Sequence, residues 1–339
     1  MKRFLPVITL ILTLTLLFGA CAKGNLEGDI SGFSATVSII DREVPDFTVD
    51  EKGDFTILQF TDTHFINGET KNDRKTLDAI KRLTEEQKPD LVVVSGDMIE
   101  GNNSKRSYNK QNAIDCIAGI FEDLKQYWAY VPGNNDGEMC GSSADVSAYL
   151  SQYDYCILSN EKDLTGAVQY AVDLKDSEGK LLHSLIFMDS LARDENNKYD
   201  YMKADQIKWA QDTVNEKKAQ NPDVFFSFFF HMNTPNFAIS GKNGKPYSES
   251  YAPVPKTFFT GIDGNAAFDK AIEGTNTGLV SIGHVHPDTN YCSYLNGTYY
   301  HVTRPSGYLK SKNPGSALIT VHTSAPTSEE MYDFSEILF

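Results

Sequence analysis

Cysteine is scarce in this chain. Of its five cysteines, Cys21 stands at the N-terminus, and Cys116, Cys140, Cys156 and Cys292 are scattered without metal-ligand spacing. A thiolate metal site is therefore not expected, and Cys116, beside an apolar helical stripe, reads as a small core residue. No Gly-x-Ser-x-Gly turn is present to raise a serine nucleophile. Basic charge is also short: 31 Lys and Arg stand against 46 Asp and Glu, for a net charge of −15 over 339 residues. That balance, with no basic stripe, argues against non-specific binding to nucleic acid or anionic lipid. Beyond Phe18 no apolar run approaches the ~20 residues of a membrane-crossing helix. No internal repeat, low-complexity tract or abrupt change of composition divides the chain. What remains is ordinary globular composition, 40% hydrophobic and 23% charged. It is enough for one large α/β core or two modest domains.

The N-terminus stands apart. Lys2 and Arg3 precede an apolar run from Phe4 to Phe18, followed by Gly19-Ala20-Cys21. A positive start, a short apolar stretch and small residues describe a secretory signal. With cysteine directly after the small pair, it resembles the bacterial lipoprotein signal, although Phe18 stands where that pattern prefers Leu. The resemblance implies a diacylglyceryl group on Cys21 and an exported, envelope-anchored protein. Acyl chains hold such a domain to a bilayer at ~0.8 kcal/mol per buried methylene. A plain cleaved signal or an uncleaved anchor helix is the alternative. Loss of residues 1–20 takes Lys2 and Arg3 from the 31 basic residues and leaves 29 against 46 acidic, a charge of −17.

Residues 21–52 read as a tether with an edge strand, 53–325 as the folded domain and 326–339 as a C-terminal tail. Phe55–Thr61 alternates and is rich in β-formers, so it reads as a strand. Asp73–Lys88 has Leu77, Ile80 and Leu83 on one helical face and Pro89 beyond its end. Leu91–Val94 is wholly apolar, as a buried parallel strand is. A second helix places Ile114, Ile117, Phe121 and Leu124 at helical spacing before a strand at Tyr127–Val131. Then come a short helix at Ser143–Leu150, paired strands at Ala167–Leu174 and Leu181–Met188, a helix at Lys203–Ala219 and a phenylalanine-rich strand at Val224–Phe230. Asn233–Asn265 shows no clear periodicity, and a loop of that length is commonly functional. Its Tyr247 and Tyr251 suit either a lid or a pin to the core. Strands return at Leu279–Ile282, Tyr291–Leu295, Thr298–Thr303 and Ala317–Val321, which suggests two packed sheets with helices outside.

Five of these strands run directly into polar residues of metal-binding type. They are Asp62-Thr63-His64, Gly96-Asp97, Gly133-Asn134-Asn135-Asp136, His231 and Gly283-His284-Val285-His286. Carboxyl ends of strands in α/β sheets converge on one edge, where ligands bind. Each piece alone is a weak signal, since Gly-Asp is a common turn dipeptide and a lone histidine is commonly structural. The ordered set is specific.

In that order, and in the contexts FTILQFTDTH, KPDLVVVSGD and FFFHMNTP, the set resembles the calcineurin-like metallophosphoesterases, in particular their purple-acid-phosphatase-like branch, over roughly residues 54–322. The resemblance implies a four-layer α-β-β-α sandwich of two mixed sheets with a dinuclear site at the strand ends. It gives one metal Asp62, His64 and His286, the other Asn134, His231 and His284, and makes Asp97 the bridge. Mixed imidazole and oxygen ligation suits two divalent ions of Mn, Fe, Zn or Co. The implied activity is hydrolysis of phosphate mono- or diesters, or anhydrides, by a hydroxide that bridges the metals. The implied partner is a phosphate-containing small molecule, with no nucleic acid, and the −17 charge sets a metal-dependent nuclease behind it.

Two positions depart from the family pattern. Asn135 stands where the family has the histidine of Gly-Asn-His-Asp/Glu, and an amide cannot deliver a proton near neutral pH. Ile99 and Glu100 stand where true purple phosphatases carry a tyrosine, so a ferric-tyrosinate centre is not expected. Asn135 and Asp136 are the candidate catalytic residues, and Asn135, His301 and Arg304 the candidate substrate contacts. His183 reads as structural and His322 as a surface residue. A non-catalytic metal- or phosphate-binding lipoprotein of the same fold is the rival function.

Overall fold

A strand buried on both faces reads as an apolar run, and Leu91–Val94 does, with Ser95 at its end buried as well. In the computed structural model it is the third of fourteen strands among the described residues. The structure describes residues 39, 42–101, 110–137, 142–160, 163–258 and 265–339. The expected signal segment 1–20, the expected anchor residue Cys21 and Cys140 lie outside the described residues. No helix among the described residues is long and apolar enough to cross a membrane.

In chain order the elements are β1 (Phe47–Thr48), β2 (Asp54–Phe60), α1 (Lys71–Gln87), β3 (Leu91–Ser95), α2 (Lys110–Leu124), β4 (Trp128–Val131), α3 (Ser143–Leu150), β5 (Cys156–Ile157), β6 (Gln169–Lys175) and β7 (Leu181–Met188). They continue with α4 (Ala204–Gln220), β8 (Phe225–Phe229), α5 (Pro235–Asn243), β9 (Lys245–Pro246), α6 (Ala266–Ile272), β10 (Thr277–Ile282), β11 (Tyr291–Leu295), β12 (Thr298–Val302), β13 (Gly315–His322) and β14 (Tyr332–Leu338).

Two mixed sheets result, of eight strands in the order β1-β6-β7-β8-β10-β12-β11-β9 and six in the order β14-β13-β2-β3-β4-β5. In the first, β7, β8, β10 and β12 are mutually parallel. In the second, β2 to β5 are parallel, β13 runs against β2, and β14 runs against β13. Side-chain alternation then builds the layers. Leu185, Phe187, Leu279 and Tyr299 turn inward to the core shared with the other sheet and with α1 and α2. Their neighbours Ile186, Met188, Val280, Ile282 and Tyr300 turn outward to a second core with residues of α4, α5 and α6. Helix, sheet, sheet and helix are thus stacked, as expected.

Three stretches differ from the sequence reading. Within the aperiodic segment, Pro235 starts α5 at its first turn, where its missing N–H costs nothing. The expected tail 326–339 instead contains β14, which pairs with β13 from Gly315↔Leu338 to Val321↔Tyr332. Tyr332 and Phe334 alternate into the core while Asp333 and Ser335 face out. The expected edge strand in 21–52 is present but is only two residues long, β1 against β6.

Candidate metal centre

The carboxyl ends of β2, β3 and β4 from one sheet meet those of β8 and β10 from the other. Backbone bonds fasten these loops together: Asp62 N–H donates to Gly96 O, His64 N–H to Asp97 O (both 3.0 Å), and Gly283 N–H to His231 O at 3.3 Å. The turns are sharp enough to force left-handed backbone on residues that disfavour it. Asp62, His64, Asp97, His284 and His286 have φ of 50°, 47°, 48°, 69° and 51°. Non-glycine residues at positive φ are uncommon, and strain of this kind concentrates at functional sites.

Asp62, His64, Asp97 and His286 each offer a donor atom, and all four atoms lie within 4.8 Å of one another. Nε2 of His286 is 2.8 Å from Asp62 Oδ1 and 3.0 Å from Nε2 of His64. Nε2 of His64 is 3.6 Å from both Asp62 Oδ1 and Asp97 Oδ2. His231 joins from β8, its Nε2 3.3 Å from Asp97 Oδ2 and 3.9 Å from Asp62 Oδ1. The ring of His284 packs on that of His231 with centroids 5.2 Å apart. Asn134 is buried at the end of β4.

Every lone pair here has a reason to point where it does. Ser95 O lies 2.8 Å from Nδ1 of His231, so Nδ1 carries the hydrogen and Nε2 is left as a donor atom to a cation. Glu100 Oε2 lies 2.9 Å from Nδ1 of His64 and 2.9 Å from Lys310 Nζ. Thr61 Oγ1 and the N–H of His284 both donate to Asp62 Oδ2, at 2.9 Å each. Asn135 N–H donates to Asp97 Oδ1 at 2.7 Å, and its side-chain amide donates to Oδ2. Nε2 of His231 and Oδ1 of Asn134 are buried without a hydrogen-bond partner. Buried polar atoms are seldom left so, and these two, beside a tight knot of imidazoles and carboxylates, suit divalent ions.

The electrostatics point the same way. Burial opposes charge on Asp62, yet His286 and His231 hold its carboxyl well below the ordinary range. Burial likewise opposes charge on Asp97, and His231 overcomes it and lowers the carboxyl. Burial opposes a charged His64, but Asp62, Glu100 and Asp97 lift it to about 9. His231, buried but facing Asp97 and Asp62, rises to about 10. Two carboxylates fixed in this place demand positive charge.

Three expected site residues are spent elsewhere. Asp136 is fully buried, and its oxygens accept from Ile99 N–H (2.9 Å), Gly133 N–H (2.8 Å) and Tyr130 Oη (2.9 Å). It shapes the loop that carries Asn134 and does not face the cluster. His301 lies between the sheets, bonded to Ser281 Oγ and Tyr251 Oη at 2.9 Å each and stacked on Phe334. Arg304 pairs with Glu336 and donates to Asn313 O. Tyr251 is thereby a pin for its loop: it packs on Tyr247, and both reach Phe334. His183 is buried against Ser227 Oγ at 2.8 Å, as a structural residue is. His322, partly exposed, bridges Asp54 and Asp333.

Sequence reasoning missed the hairpin after β7. Arg193 and Tyr199 bridge across it, and Tyr199 packs edge-on with the His284 ring, centroids 5.0 Å apart. The guanidinium of Arg193 lies over Tyr199, 4.4 Å from the ring centre. Only the Asp194–Lys198 turn signal was there to be read, and it says nothing of what the turn approaches.

A two-sheet sandwich with such a cluster at its strand ends defines a metallohydrolase architecture. The calcineurin-like phosphoesterase family model matches residues 55–288, and the chain belongs to that family. It is 25% identical over 304 residues to an Arabidopsis thaliana protein named "Probable inactive purple acid phosphatase 28", covering 76% of this chain and 72% of that one. It is 25% identical over 268 residues to the "Phosphatase DCR2" of Saccharomyces cerevisiae, covering 71% of this chain but 45% of the yeast protein. Among solved structures, a dimetal phosphatase from Danio rerio superposes with a TM-score of 0.54 at 12% identity, over 84% of this chain and 99% of that one.

Proposed function

We propose that the protein hydrolyses phosphate esters or anhydrides at a dinuclear centre. Asp62, His64 and His286 would hold one divalent ion, Asn134, His231 and His284 the other, and Asp97 would bridge them. The observation that carries this reading is the four-donor cluster within 4.8 Å, flanked by the unpartnered Nε2 of His231 and Oδ1 of Asn134. Bound Mn, Fe, Zn or Co ions would activate a water and neutralise phosphoryl oxygens.

The chain's own contributions follow from its contacts. Ser95 and Glu100 fix the rings of His231 and His64 so that Nε2 faces the cluster. Asn135 lies against Asp97, where its amide orients a carboxylate or an incoming phosphoryl oxygen by hydrogen bonding. It supplies no proton, so either the leaving group is stable as an anion or another residue supplies the acid. General acid catalysis contributes typically ~10²–10⁴-fold, and without it turnover of alkyl esters is slow.

A non-catalytic binding protein is the second reading, favoured by Asn135 and by relatives whose names call them inactive. Export with a lipid on Cys21 is part of the proposal, supported by the pattern Lys2-Arg3, Phe4–Phe18, Gly19-Ala20-Cys21. Labelled fatty acid incorporated into the wild type and not into Cys21→Ala tests it.

The function is tested on protein reloaded with Mn²⁺, Fe²⁺ or Zn²⁺, using p-nitrophenyl phosphate and bis-p-nitrophenyl phosphate, with Asp97→Ala beside it. Metal-dependent turnover that vanishes in the variant supports the enzyme, and the preferred ester separates monoesterase from diesterase. Silence on both esters and on pyrophosphate, with two metals verified per chain, favours the binding protein.

A further inference from the structure

Each imidazole of the cluster needs something to hold its ring, because the torsion that turns a histidine ring is broad and roughly two-fold. His231 has Ser95 O at 2.8 Å from Nδ1, and His64 has Glu100 Oε2 at 2.9 Å from its own. Nε2 of His286 lies 2.8 Å from Asp62 Oδ1. His284 is the exception. Its backbone N–H donates to Asp62 Oδ2 at 2.9 Å, but neither of its ring nitrogens has a hydrogen-bond partner among the described residues. Two aromatic contacts flank the ring instead: His231 at 5.2 Å between centroids and 74° between planes, and Tyr199 at 5.0 Å and 88°.

Tyr199 is itself fastened. It closes the hairpin between β7 and α4, where Asp194 N–H donates to Lys198 O at 2.8 Å and Asp200 N–H to Ala192 O at 3.1 Å. Asp194 Oδ1 accepts the N–H groups of Asn196 and Lys198 at 2.9 Å each. The guanidinium of Arg193 lies over the Tyr199 ring and braces it. At the base of the hairpin, buried Asp189 accepts the N–H groups of Ala167 and Leu191 at 2.7 Å each. Ser190 Oγ accepts the N–H of Met232, the residue after His231, at 3.0 Å.

We infer that Tyr199 is the positioning residue of His284: its braced ring sets the orientation in which that imidazole meets a metal, where Ser95 and Glu100 do so for His231 and His64. The inference rests on the dinuclear reading, which gives His284 to the ion shared with Asn134 and His231. A perpendicular aromatic pair contributes beyond the area it buries. Tyr199 touches the cluster through His284, so the ion of Asp62, His64 and His286 should not feel its loss. One ion of the pair thus depends on a hairpin that supplies no ligand.

The test uses the full chain, freed of metal and titrated with Co²⁺ by calorimetry, with visible absorption reporting the ligand field. The wild type should take two ions, and His284→Ala should lose one, which identifies the ion that His284 holds. Tyr199→Leu should weaken that same ion by ~2–10-fold, shift its absorption and leave the other unchanged. Tyr199→Phe, which keeps the ring, should match the wild type. Unchanged binding and absorption in Tyr199→Leu overturn the inference, and so does a Tyr199→Phe as weak as Tyr199→Leu. Equal weakening of both ions, with a lowered urea midpoint of the metal-free protein, overturns it in favour of a merely structural role. A wild type that takes fewer than two ions, or a His284→Ala that keeps both, overturns the dinuclear reading and the inference with it.

Discussion

Glu100 and His64 face each other on the side of the imidazole turned away from the cluster, Oε2 to Nδ1 at 2.9 Å. Lys310 holds the same carboxylate oxygen at 2.9 Å. Burial resists charge on Glu100, yet His64 and Lys310 bring its carboxyl down to about 2, so it is ionised at any working pH. The ionised carboxylate beside Nδ1 favours a proton on that nitrogen by its charge, which leaves Nε2 for a cation. Glu100→Gln should weaken metal binding by ~10–100-fold, the usual effect of losing such a partner. Lys310→Met should have the same sign and a smaller size. Competition with a fluorescent chelator measures both, without reference to turnover.

Asn135→His restores a group that can donate a proton. The expected gain appears on poor leaving groups: turnover of an alkyl phosphate such as glycerol phosphate should rise by up to ~10², and that of p-nitrophenyl phosphate by far less. Steady-state kinetics on the two esters at pH 6 decide it. Equal changes on both would show that the position acts by orienting Asp97 and not by protonation.

Gly283 admits no side chain. A Cβ there would stand 1.9 Å from Thr61 Oγ1 and 2.5 Å from Asp62 Oδ2. Gly283→Ala should push the β2 and β10 loops apart, at a cost of ~1–3 kcal/mol and with loss of bound metal. Gly119, within α2, has nothing within 4 Å of its Cβ position. Gly119→Ala should therefore stabilise by ~0.5–1 kcal/mol through helix propensity alone. Denaturant midpoints and metal content after dialysis separate the two.

Burial lowers both His183 and His301 to about 3. In the unfolded chain each titrates near ~6.5. Between these values the unfolded state binds more protons, so stability rises with pH; the contribution is complete above the unfolded value and is lost as pH falls towards the folded one. Each histidine should cost ~1.4 kcal/mol per pH unit within that window. His301→Gln should flatten the dependence by one proton, which urea midpoints from pH 7 to pH 4 would show.

The sequence made the strands that deliver Asp62, Asp97, His231 and His284 legible, because wholly apolar runs ending in polar residues have few other readings. It could not give the direction of a side chain. His301 lies within β12 and Arg304 just after it, close to a strand end as the cluster residues are, but one turns between the sheets and the other pairs with Glu336. Asp136 was misplaced for the same reason, since its neighbours Asn134 and Asn135 stay at the cluster while its own oxygens tie down the loop. β14 hid because half its residues are polar, as an edge strand's outer face is. The pairing of Glu100 with Lys310 spans 210 positions and leaves no local mark.

The strand that ends in Asp62 and His64 lies between β3 and β13, and its pairing with β13 joins Asp54 to His322, 268 positions apart. A chain emerging from synthesis can form the β2–β3–β4 parallel unit early, but the other flank of β2 stays open until nearly the whole polypeptide is out. Closing so long a loop is entropically late, and such topologies fold slowly. The turn carrying Asp62 and His64 is held to the β3 loop by its own backbone bonds, but Ser306 N–H reaches Thr61 O only from the C-terminal part of the chain. The proposed ion site is therefore complete only when the strands after α6 have brought His284 and His286 to it.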